Sequence, residues 1–383
     1  MLRFRSTTPS GVGQGGRDRR IDAFFEQAKV AEAVRYHGAN VALTVESIPR
    51  PTNLADNDVL IQVQAAALCH TELHFADGTL NLGVAPMTLG HEACGIVIQV
   101  GNSVPDTRIG ERVILYYYVG CGSCRWCLQG DEQICGSLQA EFGFISDGGL
   151  AEYIKAPSRN AVPLPSNISF VDAAPIGCGV TTAVHASKIG RVQKDDWCLV
   201  YGVNGVGFGL IQLLKNHYGA KVIAATRSPA RRKLALELGA DVSIDTTDSS
   251  TVAKAVHQAT YGAGADVIFE CVGRRETMDA CVGWDGALGK RGRLVLVGYE
   301  AGSEHEFRCH PIPMIVQEQS VCGSVGATLN DLKEALEYVS SGKVKTIVDS
   351  LLSLQDFQRG IDKIKSCDCI GKIVCRPAET SFG

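Results

Sequence analysis

Trp197-Cys198-Leu199-Val200-Tyr201 runs directly into Gly202-Val203-Asn204-Gly205-Val206-Gly207, and an apolar helical pattern, Val206 to His217, follows at once. A short apolar run that breaks into glycines and re-emerges as helix is the strand, turn, helix unit that opens a βαβ series. Such a unit aims the backbone amides of a helix N-terminus at one point, where a pyrophosphate is well held. One position departs from the G-x-G-x-x-G spacing, because Asn204 stands where the second glycine belongs. Asn tolerates positive φ and caps helices, so the turn is expected to survive with a less close approach to phosphate.

The same texture repeats downstream. Lys221 to Thr226, Val242 to Asp245, Asp266 to Cys271 and Arg293 to Gly298 read as near-continuous apolar strands, with helical patterns at Pro229 to Leu238 and Thr251 to Thr260. Strands buried on both faces and alternating with helices predict an α/β fold, a Rossmann-type doubly wound parallel sheet. The second strand selects the nucleotide, since an NAD site carries Asp or Glu at its end for the ribose 2′-hydroxyl. Here it ends in Thr226-Arg227-Ser228, 24 residues after Gly202, with Arg231 and Arg232 one turn on. Hydroxyls and guanidinium groups welcome a 2′-phosphate that a carboxylate would repel. The expected cofactor is NADP(H), with NAD(H) as the alternative. Val272 and Gly298, at the ends of later strands, complete the expected cofactor-binding set with Gly202, Asn204, Gly205, Val206, Gly207, Thr226, Arg227, Ser228 and Arg231.

Upstream, from Glu32 to Leu164, short apolar runs such as Val59 to Val63, Ala93 to Ile98 and Arg112 to Leu115 are separated by Gly, Pro and Asp and read as a β-rich unit. Within it lies Cys121-x2-Cys124-x2-Cys127-x7-Cys135. Four soft, deprotonatable sulfurs in one loop can close a tetrahedral shell around Zn²⁺ with no position left open, which describes a structural metal. The alternatives are a disulfide framework or incidental core cysteines. The remaining cysteines of the 15 are mostly isolated, as expected in a reducing, cytoplasmic setting. A net charge of -4 offers no sequence-wide attraction to nucleic acid or anionic membrane, and no apolar stretch approaches the length of a spanning helix. Met1 to Arg20 holds five arginines and one acid, Asp18. It reads first as a disordered extension covering residues 1–30, an organelle transit peptide or a cloning remnant being the alternatives.

With one metal motif present, Cys69-His70-Thr71-Glu72-Leu73-His74, Gly90-His91-Glu92-Ala93-Cys94-Gly95 and Gly177-Cys178-Gly179 gain weight. They offer a dispersed Cys, His, Cys set, and three protein ligands leave a fourth position for water or substrate. Taken in order with the four-cysteine lobe and the glycine turn, these segments resemble the zinc-dependent medium-chain alcohol dehydrogenases over residues 31 to 376. The resemblance implies a GroES-like catalytic domain from residues 31–180 and 320–383, with a Rossmann domain over 181–319. It implies two zinc ions per chain, with Cys69, His91 and Cys178 holding the catalytic one and Cys121, Cys124, Cys127 and Cys135 the structural one. Glu92 is similar to an acid beneath the catalytic metal, and Glu72 to the residue that orients its histidine. His70 and Lys372 resemble contacts of the cofactor phosphates, and Tyr117 a pocket-lining aromatic. Thr71 and His74 match a proton relay.

The implied function is interconversion of alcohols with aldehydes or ketones by hydride exchange with a nicotinamide cofactor, on a small-molecule substrate, in a homodimer or homotetramer. Two other classes stand beside it. A zinc-free quinone or enoyl reductase is opposed by the metal set and the cysteine lobe. A non-catalytic zinc and nucleotide binding protein is opposed by the intact Thr71 and His74.

Overall fold

The computed structural model describes residues 29–377. The tail expected at the N-terminus falls outside the described residues, apart from its last two positions.

Six parallel strands, Trp197–Tyr201, Lys221–Ala225, Val242–Ile244, Ala265–Glu270, Leu288–Leu296 and Ser320–Gly323, form one sheet. Counted along the chain, they lie in the order 3-2-1-4-5-6. Their side chains alternate between two cores. Cys198, Val200, Val222, Ala224, Val267 and Phe269 pack on one face, and Leu199, Tyr201, Ile223, Ala225 and Ile268 on the other. That alternation is the period of a strand with helices on both sides. The strand order reverses between Trp197–Tyr201 and Ala265–Glu270, and a crevice opens at that switch point. The sixth strand, Ser320–Gly323, lies beyond the expected boundary at residue 320. Its four residues pair with Arg293 to Leu296 although they carry too little apolar signal to be read as a strand.

A second sheet runs Ala161–Pro163, Arg112–Leu115, Glu92–Val100, Asp58–Leu68, Lys372–Arg376, Val348–Ser353, and Tyr153–Pro157 also pairs with Asp58–Leu68. The central strand Asp58–Leu68 is buried along most of its length. Its register explains the site. Ala67 stands opposite Glu92 and Leu68 opposite Ile373, so Cys69, His91 and Lys372 emerge at one end of three adjacent strands. Between the sheets runs the helix Gly179–Ile189, which sends Val180 and Val184 into the core of the second sheet and Ala183 and Ala186 into the face of the parallel sheet that holds Cys198 and Val200. Cys178 caps its start. Among the described residues no helix is long and apolar enough to cross a membrane.

Candidate active site

The four-cysteine lobe folds around its sulfurs. Cys124 caps the short helix Arg125–Gln129 by accepting from the Cys127 amide, and Gly130 ends that helix in the left-handed region. The sulfurs of Cys121 and Cys127 lie 3.9 Å apart, and those of Cys124 and Cys135 3.8 Å. Four thiolates at about 2.3 Å from one zinc sit about 3.8 Å apart, whereas a disulfide would bring two of them to about 2.0 Å. Backbone amides of Cys121, Cys124 and Ser137 donate to the sulfurs at 3.3–3.4 Å, as thiolates require. The donor set fits zinc. Glu132 ties the lobe down, accepting from the Gly120 amide at 2.8 Å and from the Arg159 guanidinium at 2.6 and 2.9 Å.

At the end of the central strand, ligand atoms of Cys69, His91, Glu92 and Cys178 all lie within 4.8 Å of one another. His91 and Glu92 are almost fully buried. The Cys69 thiol is held well below its ordinary pKa, first by the Cys178 thiol donating to it and then, against burial, by the Lys372 charge. Glu72 fixes the geometry from below. One of its oxygens accepts from the Cys69 amide at 2.6 Å, and the other lies 3.7 Å from His91 Nδ1, both of these last two atoms buried without a hydrogen bond among the described residues. That arrangement turns His91 Nε2 toward the cysteines, the orientation a metal-binding histidine needs. Glu92 Oε1 takes the Lys372 ammonium and its other oxygen has no partner among the described residues. A donor set of two partly buried thiols, a buried imidazole and a buried carboxylate fits one zinc. Tyr117 and Phe144 pack on the His91 ring at 5.2 and 5.0 Å.

The helix His70–Asp77 begins at Cys69 and carries Thr71 and His74 one turn apart on its buried face, while His70 is exposed. His74 Nδ1 is buried and without a hydrogen-bond partner among the described residues. Tyr299 lies over the same face, its ring 5.0 Å from that of His74.

Gly202 turns the chain at φ 98°, a conformation open to glycine and strained for other residues. Asn204 does not take positive φ. It is extended at φ -108°, its side chain caps the helix Gly205–Leu213 by accepting from the Gly207 amide, and its Nδ2 donates to the Cys271 carbonyl at 3.1 Å. The capping role of asparagine prevails because Gly202 already supplies the turn. The amides of Gly205 and Val206 remain at the helix start as donors. The Lys372 stem crosses here, so close that a Cβ on Gly205 would lie 2.7 Å from its Cε. Val272 and Gly298 abut beyond the ends of Ala265–Glu270 and Leu288–Leu296, beside the switch point, and Gly202 faces Val272 across it.

At the end of the second strand, Thr226 is buried and Ser228 caps the helix Pro229–Glu237. Arg231 is turned away from this edge, donating to the carbonyls of Cys367 and Cys369, because its helical position points it at the C-terminal segment. Arg232 pairs with Asp245 and holds the carbonyls of Thr226 and Arg227. Arg227 is exposed, and among the described residues its guanidinium makes no hydrogen bond or ion pair. Sequence reading overlooked Glu270 and Tyr299. An acid ending an apolar strand was the available signal for Glu270; for Tyr299 there was none.

A family model described as the alcohol dehydrogenase GroES-like domain matches residues 55–166, and one described as zinc-binding dehydrogenase matches residues 205–341. An alcohol dehydrogenase of Geobacillus stearothermophilus is 33% identical over 343 residues, 88% of this chain and 96% of the relative. The crystal structure of the alcohol dehydrogenase from Aeropyrum pernix superposes with a TM-score of 0.83 at 32% identity, covering 90% of this chain and 100% of that one. A zinc-binding dehydrogenase of Sinorhizobium meliloti, solved bound to NADP, gives 0.81 at 26% identity, covering 91% and 100%. The chain belongs to the zinc-type medium-chain dehydrogenase/reductase family, with alcohol dehydrogenases as its relatives.

Proposed function

We propose that this chain is a zinc-dependent oxidoreductase that interconverts alcohols with aldehydes or ketones, with NADP(H) as the preferred hydride partner. The observation that carries the reading is the convergence of Cys69, His91, Glu92 and Cys178, their ligand atoms all within 4.8 Å of one another. Cys69, His91 and Cys178 would hold the catalytic zinc, and Cys121, Cys124, Cys127 and Cys135 the structural one. When bound, the catalytic zinc supplies Lewis-acid charge that eases loss of the alcohol proton. When bound, the nicotinamide supplies the hydride acceptor or donor.

The chain's residues do the rest. Glu72 keeps His91 in one orientation. Thr71 receives the substrate hydroxyl proton, and His74, one turn further along the helix, passes it out. Lys372 offsets the buried charge of Glu92 while its stem seats the glycine turn. Gly205 and Val206 amides bind the pyrophosphate, with Gly202, Asn204 and Gly207 shaping the turn and His70 at its mouth. Val272 and Gly298 border the nicotinamide end.

The NADP(H) preference rests on Arg227 and Thr226 at the ribose edge. NAD(H) is the second reading, favoured by the engagement of Arg231 with the C-terminal segment. The catalytic domain is proposed to comprise residues 31–180 and the chain beyond the sixth strand. A cytoplasmic homodimer or homotetramer completes the reading.

The test is initial rates of NADPH and NADH oxidation by zinc-loaded protein against a panel of alkyl and aryl aldehydes. Turnover with NADPH ahead supports the whole reading, and NADH ahead removes the cofactor preference alone. Thr71→Ala and His74→Ala should lose most turnover while keeping zinc and nucleotide. Silence of the wild type with both cofactors would sink the enzyme.

A further inference from the structure

Tyr299 reaches the relay from the opposite side of the cleft. It follows Gly298 after the strand Leu288–Leu296, so it belongs to the nucleotide-binding sheet, whereas Thr71 and His74 sit on a helix that leaves the other sheet. Its backbone is pinned. Gly273, at φ 83°, lies so close that a Cβ there would fall 2.3 Å from the Tyr299 Cα. The Gly273 loop is itself held by the buried Glu270 carboxylate, which accepts from the amides of Val272 and Gly273 and the Thr277 hydroxyl. From this fixed base the side chain crosses the cleft. Its ring leans on His74 at 5.0 Å with a 35° tilt.

We propose that Tyr299 is a positioning residue for the proton relay, holding the His74 ring in one plane from across the cleft. This rests on the oxidoreductase reading above. An imidazole that must accept one proton and release another gains from an aromatic ring that limits its rotation. Because the two halves of this contact come from different sheets, relay geometry is set only when both flank the cleft.

The experiment compares Tyr299→Phe, which removes only the hydroxyl, with Tyr299→Leu, which removes the ring as well. For alcohol oxidation by the zinc-loaded enzyme, Tyr299→Phe, which keeps the ring, should hold kcat and KM within about twofold. Tyr299→Leu should lower kcat about three- to tenfold, with nucleotide affinity unchanged. A readout free of turnover is the His74 Cε1–H resonance in histidine-labelled protein, assigned with His74→Ala. The Tyr299 ring current should displace it in the wild type and in Tyr299→Phe, and the displacement should vanish in Tyr299→Leu. An active wild type whose Tyr299→Leu variant keeps kcat within about twofold would overturn the proposal. So would a His74 resonance indifferent to Tyr299→Leu, a result that can be read even if the wild type turns over nothing and the oxidoreductase reading fails.

Discussion

Replacing Glu270 with alanine should loosen the nucleotide crevice at its switch point. The carboxylate is fully buried, and its oxygens accept from the Val272 amide at 3.0 Å, the Gly273 amide at 2.9 Å and the Thr277 hydroxyl at 2.8 Å. In Glu270→Ala the Thr277 hydroxyl keeps the Arg274 carbonyl it already reaches at 2.7 Å, so two amides are left orphaned. A buried unsatisfied amide costs about 1–3 kcal/mol, and Val272 is only partly buried, so local opening becomes easier by about 2–4 kcal/mol. At 1.4 kcal/mol per decade, hydrogen exchange at Val272 and Gly273 accelerates by roughly 30- to 700-fold. Nucleotide affinity falls about three- to tenfold, because the loop must be ordered again on binding. Glu270→Gln keeps an acceptor where Oε1 stands and should cost only about 1 kcal/mol. Burial raises the Glu270 pKa above 4.5, so the fold favours its neutral form. This group's contribution to stability therefore declines as pH rises above that value, a slope absent from Glu270→Gln. Hydrogen exchange by mass spectrometry and fluorescence titration with the nucleotide decide the matter. Exchange within about threefold of wild type, with an unchanged Kd, would refute the reasoning.

Three further outcomes are expected. Cys127→Ser should bind one equivalent of zinc fewer by elemental analysis and lose thermal stability; an undiminished metal count would remove the lobe as a zinc site. Arg227→Glu should lower kcat/KM for NADPH by about tenfold or more and leave NADH nearly untouched, while equal losses for both would place the ribose edge elsewhere. Asp331 is buried, which alone would raise its pKa, but hydrogen bonds from His185, Lys188 and Thr328 hold it far below 3.8. Its contribution, about 2 kcal/mol with Lys188 partly solvent-screened, is present above that value and lost as pH falls through and below it, so Asp331→Asn should be less stable at pH 7 with a flatter acid limb in thermal melts.

Local chemistry was legible in the sequence wherever neighbours in the chain are neighbours in space. The cysteine lobe and the turn at Gly202 are of that kind, and so is the alternation of strand and helix from Trp197 to Leu296. Cys69, His91 and Cys178 were found only because a family resemblance linked them; their convergence depends on the pairing of Ala67 with Glu92, which spacing does not encode. The orientation of Arg231 depends on the carbonyls of Cys367 and Cys369, more than a hundred residues away, and charge type alone misdirected it toward the nucleotide. Asn204 had two permitted conformations, and the choice was made by Gly202 beside it. Ser320–Gly323 joins its sheet through backbone pairing that a short run of mixed residues does not announce. Tyr299 carries no motif, because its role comes from a contact between two separate sheets.

The strand Lys372–Arg376 enters the second sheet against Ala66 to Leu68 and sets Lys372 beneath Glu92. On the ribosome, the parallel sheet has all six strands once Gly323 has emerged, while the central strand Asp58–Leu68 waits for a partner some three hundred residues downstream. Non-local pairing of this kind is slow to form and leaves apolar strand edges open in the interim. During synthesis the nucleotide-holding half can therefore be complete while the metal-holding half is still an unfinished sheet, so premature termination shortly before Lys372 would yield a chain with an open strand edge, fit for chaperone capture, and with Glu92 buried without its lysine.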